Sequence, residues 1–170
     1  MPTISVDHCF LGSERDAEER GERPFLIMHD SKSEALYCIP VSSKATTEWL
    51  VTCVKTLMEE LGYGGMKIGF KSDNAEELVS LRKRVAEVRR METVPIVVPV
   101  RVSQANGAVE RAVRTWQGQF RTLRSHLEDE VGVAISPDHP IWQWGAMWAS
   151  GLLSVALNAA QVVLAKRFHI

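Results

Sequence analysis

The stretch MKIGFKSDNAEELVSLRKRV, Met66 to Val85, changes its period in the middle. An apolar run at Lys67 to Phe70 predicts a strand. Ser72-Asp73-Asn74 then breaks the pattern, and Leu78, Leu81, Val85 and Val88 recur at helical intervals. Asp73 stands three residues before Glu76, the spacing of a capping box, so an N-cap role accounts for it. The same aspartate closes a strand where a helix begins, which is where open α/β sheets gather ligands. Strand followed by helix is also the unit from which the rest of the chain is built.

Upstream, Thr3 to Leu11 alternates, with Ile4, Val6, His8 and Phe10 on one face and Ser5, Asp7 and Cys9 on the other. Phe25 to Met28 and Leu36 to Val41 are further apolar runs, joined by the polar turn His29 to Ser33, which predicts a hairpin. The charged segment Gly12 to Pro24 is expected to be a solvated loop. A helical stripe of Leu50, Val51, Val54, Leu57, Met58 and Leu61 ends at Gly62. Downstream, the helix after Asp73 should end near Arg90. Val94 to Val102 reads as a strand whose Pro95 and Pro99 favour an edge, and a long helix runs from about Gly107 to Gly132. Three antiparallel strands followed by alternating helices and strands give an α/β mixed sheet flanked by helices.

The 170 residues suit one core, residues 1–132, with a tryptophan-rich helical extension of the same domain at 133–170. Cys9, Cys38 and Cys53 sit in apolar runs without metal-ligand spacing and are expected as reduced thiols of an intracellular protein. No signal segment opens the chain, and the abrupt start suggests a piece of a longer polypeptide. Ile141 to Ala165 holds no charged residue, yet Gln143, Ser150, Ser154, Asn158 and Gln161 favour a buried helix over a membrane span. Net charge is −1, but residues 79–124 carry ten Lys/Arg against three acidic residues, while residues 1–35 carry eight acidic against four basic. That asymmetry suits a polyanion on one side of the molecule.

The long helix has two stripes. Val109, Val113, Trp116, Phe120, Leu123 and Leu127 form the apolar one, and Glu110, Arg114, Gln117, Arg121 and Arg124 run beside it. Glu110 and Arg114 can be an ordinary i,i+4 pair on a solvated face. If Glu110 instead meets Asp7 and Asp73, three carboxylates share one site and repel one another unless cations intervene. Mg²⁺ takes such oxygen ligands, and a pair of ions can span a phosphodiester.

The segments ISVDHCFLG, FKSDNAEEL and QANGAVER, in that order, resemble the catalytic core of retroviral and retrotransposon integrases, within the ribonuclease H-like polynucleotidyl transferases. The similarity covers about Ile4 to Leu127. It implies a ribonuclease H-like fold, 3′-end processing of DNA and strand transfer, and Asp7, Asp73 and Glu110 as catalytic metal ligands for Mg²⁺ or Mn²⁺, with 36 residues between the latter two. Lys71, Gln104, Asn106, Arg111, Arg114, Gln117 and Arg121 are the DNA-contact candidates. The resemblance further implies a retroelement polyprotein as source, element ends and target DNA as partners, a homodimer or higher oligomer, no membrane, and nuclear action. Ala75 replaces the glycine usual after Ser-Asp-Asn, Leu78 replaces an aromatic residue, and Arg101-Val102-Ser103 stands where Tyr-x-Pro is common. Two alternatives remain open: a junction resolvase or ribonuclease H on the same fold, and a non-catalytic DNA-binding or dimerisation domain.

Overall fold

The computed structural model describes residues 1–11, 21–97 and 107–168, with side chains to residue 156. Five strands, β1 (Thr3–Cys9), β2 (Phe25–Asp30), β3 (Leu36–Pro40), β4 (Ile68–Ser72) and β5 (Thr93–Val97), form one sheet in the order β3-β2-β1-β4-β5. The first three are antiparallel, and β4 and β5 run parallel to β1. The helices are α1 (Glu48–Glu60), α2 (Glu76–Val88), α3 (Gly107–Val131) and α4 (Pro140–Phe168). The expected ribonuclease H-like mixed sheet is therefore the observed one.

Both sheet faces are covered, and the alternation of β1 feeds two cores. Ile4 and Val6 pack with Leu26, Met28, Ile68 and Phe70 beneath Val54 and Met58 of α1 and Leu81 and Val85 of α2. Cys9 joins Phe25, Ile27 and Cys38 beneath Trp116 and Phe120 of α3 and Trp142 and Ala146 of α4. In this second core the Trp116 indole N–H donates to the Ala146 carbonyl at 2.9 Å, and Phe120 meets Trp142 edge-on at 5.4 Å. Cys9, Cys38 and Cys53 are all free thiols, as expected.

The hairpin forms because the buried Asp30 carboxylate accepts the Ser33 hydroxyl at 2.6 Å, the Ser33 N–H at 3.0 Å and the Tyr63 hydroxyl at 2.8 Å. Helix α1 starts at its cap Thr47, whose hydroxyl accepts the Leu50 N–H at 3.2 Å. Beyond its end, Gly62 at φ +83 takes a conformation that a side chain would strain. Pro95 lies in the edge strand β5, whereas Pro99 and residues 98–102 of the expected strand, like residues 12–20 of the expected loop, fall outside the described residues.

Two expectations need correction. Helix α2 begins at Glu76 with Ala75 at its N-cap position and no side-chain cap, so Asp73 lies two residues upstream and does not cap it. The Asp73 carboxylate instead accepts the Ala75 N–H at 2.9 Å, an Asx-type turn that bends the chain off β4. Nor is α4 buried all round. Trp142, Ala146, Ala149 and Ser150 face the sheet, but Trp144 is 54 % exposed, Trp148 50 % and Val155 70 %. Its inner face is specific: Ser154 accepts the Leu36 N–H at 2.8 Å and returns a bond to the Leu36 carbonyl at 2.7 Å, while Ser150 accepts the Cys38 N–H at 3.2 Å. These serines close the outer edge of β3, which would otherwise offer bare backbone to another strand. Among the described residues, no helix is long and apolar enough to cross a membrane.

Candidate active site

The register between β1 and β4 pairs Ser5 with Lys71. Two residues further along both parallel strands, Asp7 comes level with Asp73, on strands spaced about 4.8 Å apart. Alternation gives Ser5, Asp7 and Cys9 the face covered by α3 and α4, and Lys71 and Asp73 follow the same side of β4. Glu110 enters from the first turn of α3.

Asp73 and Glu110 both act on the carboxyl of Asp7. Burial is the largest influence on Asp7 and lifts its carboxyl to about 6; the charges of Asp73 and Glu110 push the same way. A hydrogen bond from the His8 backbone and the charge of Lys44 oppose them. Among the described residues, no group of three or more His, Cys, Asp or Glu side chains is drawn together closely enough to hold a metal ion jointly. The carboxylates thus share a field without forming a closed ligand cage.

Supporting groups hold this end of the sheet. Buried Arg82 of α2 donates to the Ser72 hydroxyl at 3.0 Å, and that hydroxyl donates to the Asp73 carbonyl at 2.9 Å. His8 faces the opposite layer from Asp7. Burial, followed by the charge of Lys44, lowers its imidazole to about 4, and its Nε2 is buried without a hydrogen-bond partner. Burial raises the Cys9 thiol, which makes it a packing group and not a nucleophile.

The expected arginine stripe divides. Gln117 donates to the Phe10 carbonyl at 2.6 Å and Arg121 donates to the Leu11 carbonyl, so both fasten α3 to the end of β1. Arg124 pairs with Glu128 at 2.9 Å and lies 4.8 Å over the Trp142 ring. Arg114 is exposed, and Lys71 is half-buried on the Asp7 side of the sheet. Arg111 turns toward the hairpin, where it lines a cavity of about 200 Å³ with His29, Glu34 and Thr115. Gln104 and Asn106 lie outside the described residues.

The basic excess of residues 79–124 is likewise not one free surface. Arg82 and Arg89 are buried, the latter bonded to the Tyr63 and Met66 carbonyls, and Arg84 is ion-paired with Glu48 and Glu87. Lys44, Arg82 and His8 were not legible as site residues. Their sequence neighbourhoods carry no chemical motif, and only the proximity of the strand ends brings them to the carboxylates.

A five-stranded mixed sheet of this order, with helices on both faces and acidic side chains at adjoining strand ends, is the ribonuclease H-like architecture. Solved structures make the likeness more specific. The catalytic core domain of BIV integrase superposes with a TM-score of 0.51 at 11 % identity, over 87 % of this chain and 80 % of that one. The HTLV-2 integrase catalytic core in complex with magnesium, a trimeric form, gives 0.50 at 10 %, over 87 % and 81 %. A chain of the simian T-cell lymphotropic virus intasome in complex with a PP2A regulatory subunit gives 0.56 at 11 %, over 86 % of this chain but 46 % of that one. At such identities the likeness is one of fold. No family model matches the sequence, and no curated protein matches it.

Proposed function

We propose that this chain is the catalytic core of an integrase from a retroelement polyprotein, acting on DNA by divalent-metal-dependent 3′-end processing and strand transfer. The observation that carries the reading is the half-buried Asp7 carboxyl on β1, beside the end of β4 that leads into Asp73, lifted to about 6 by burial with the charges of Asp73 and Glu110 pushing the same way. Two carboxylates on adjoining strands, joined by Glu110 from the first turn of α3, suit a hard divalent cation and little else. Asp7, Asp73 and Glu110 would hold Mg²⁺ or Mn²⁺, which when bound supplies charge neutralisation at the phosphodiester and an activated attacking oxygen.

The chain's own residues orient the reaction. The Asx turn and the Arg82–Ser72 bonds set where Asp73 stands. Gln117 and Arg121 fix the end of β1 behind Asp7 and so act as positioning residues; exposed Arg114, with Lys71, Gln104, Asn106 and Arg111, remains a candidate for the DNA backbone. Assembly into a dimer or higher oligomer and action on chromosomal DNA in the nucleus belong to the same reading.

The test is strand rejoining on a branched DNA resembling an integration intermediate, with Mn²⁺, comparing the parent with Asp73→Asn and Glu110→Gln. Loss in both variants with DNA binding retained supports the assignment, and unchanged rejoining in either removes that residue from the site. A second reading, a non-catalytic DNA-binding domain, draws on the absence of a closed ligand cluster among the described residues. It predicts DNA binding by a folded parent with no rejoining at any metal concentration.

A further inference from the structure

The hairpin and α3 wall a cavity of about 200 Å³ whose residues adjoin the candidate site. His29 pairs with Ser5, two residues before Asp7 on the same strand, and Arg111 follows Glu110 on α3. One polar group in this cavity is half-satisfied. The His29 side chain is 7 % exposed, its Nε2 lies 3.1 Å from a Glu34 carboxylate oxygen, and among the described residues its buried Nδ1 has no hydrogen-bond partner. A carboxylate only accepts, so the proton of the neutral ring sits on Nε2 and Nδ1 presents a lone pair. Arg111 and Thr115 bring donors to the same cavity from one face of α3, and Leu36 and Leu153 give it aliphatic walls. We propose that this cavity receives the edge of one unpaired nucleobase of the DNA, which donates to His29 Nδ1 and accepts from Arg111.

This inference rests on the proposed function and moves Arg111 from the DNA backbone to a base. The cavity asks for a ligand with a donor beside an acceptor. A bare phosphate brings acceptors only, and the Glu34 carboxylate in the same cavity repels it. An aliphatic group leaves the His29 lone pair unmet. A nucleobase edge carries both kinds of group, as adenine does in its N6 amino group and N7. Arg111 is exposed and forms no ion pair among the described residues, so its fork of N–H groups remains for the acceptor side. Size agrees, since an apolar cavity of about 150 Å³ admits benzene. A base in duplex DNA has its edge paired and its faces stacked, so the cavity selects an unpaired nucleotide, as in the single-stranded flap of a branched intermediate.

The experiment measures binding by the full chain, with Mg²⁺ present, of branched DNAs in which each flap nucleotide in turn is made abasic, for the parent, His29→Phe and Arg111→Gln, alongside Mn²⁺-dependent rejoining. At one position, removing the base should cost the parent about tenfold in affinity and either variant less than about twofold. Urea unfolding of each variant separates a folding defect from a binding one, and Arg111→Gln, at an exposed position, carries the test if His29→Phe does not fold. A parent that binds and rejoins DNA, with losses that add at every position, leaves the His29 lone pair to a buried water; that overturns the base site and leaves the function standing. A log affinity against log salt slope lowered in magnitude by about 0.9 in Arg111→Gln, with the abasic loss intact, gives Arg111 to a phosphate and overturns the base site as well. A folded parent that neither binds nor rejoins DNA overturns both.

Discussion

Replacing Asp7 by asparagine should make the metal-free protein more stable. The folded chain holds this carboxyl at about 6 against its ordinary 3.8, so the ionised form is disfavoured by about 3 kcal/mol at neutral pH. The sign follows from linkage: between pH 3.8 and about 6 the folded state binds the proton better. Its contribution to stability is therefore full below about pH 4 and lost as pH rises through 6. His8 runs the other way in nearly the same window. Its imidazole falls from 6.5 to about 4, so its contribution is present above pH 6.5 and is lost as pH falls, again by about 3 kcal/mol. These two contributions nearly cancel in the parent. In Asp7→Asn only the His8 slope remains, because Asp7 is not among the charges acting on that imidazole.

Two readouts follow from that arithmetic. At pH 7.5 with chelator, Asp7→Asn should gain about 2 kcal/mol, the amide losing about 1 kcal/mol of the gain to its own hydrogen-bonding needs. For a chain of this length that raises the melting midpoint by about 4–8 °C. The variant-minus-parent difference in urea-derived stability should rise from about −1 kcal/mol at about pH 4, where only the amide's cost remains, to about +2 kcal/mol above pH 6. Added Mn²⁺ should raise the midpoint of the parent and leave the variant unmoved. A variant less stable than the parent at pH 7.5 in chelator would refute the reasoning, as would a difference independent of pH.

Other substitutions probe the frame around the site. Ser150→Ala leaves the Cys38 N–H without its acceptor and should cost about 1–3 kcal/mol by urea unfolding, with Ser154→Ala exposing the same strand edge at Leu36. Trp116→Phe removes the indole bond to Ala146 and part of the ring that fills the second core; a loss of about 2 kcal/mol is expected, and an unchanged midpoint would show that α4 docks without it. Arg82→Lys keeps the charge but loses the reach to Ser72 that sets Asp73. The Mn²⁺ concentration for half-maximal rejoining should rise about tenfold, and an unaltered value would make Arg82 a packing residue only.

Local periodicity determined most of the fold. The alternation of Ile4, Val6 and Cys9 and the stripes of Leu50 to Met58, Leu78 to Val85 and Val109 to Phe120 specify which face of each element is buried, because side-chain direction repeats with backbone geometry. The same spacing put Asp7 in a strand and Asp73 just past one. What Asp73 does at that turn was beyond local pattern: the capping-box spacing is satisfied in sequence, yet the helix starts two residues later and the carboxylate folds back onto Ala75. The polar stripe of α3 was legible as a stripe, but its partners were not. Gln117 and Arg121 answer the carbonyls of Phe10 and Leu11 more than a hundred residues away. The uncharged run of α4 hid two unlike faces, since its serines read as polar until β3 supplies backbone for them to bond. His29 has no motif at all. Its place in one cavity with Arg111 follows from sheet order and from the packing of α3 over β2, which are long-range facts that no window of sequence contains.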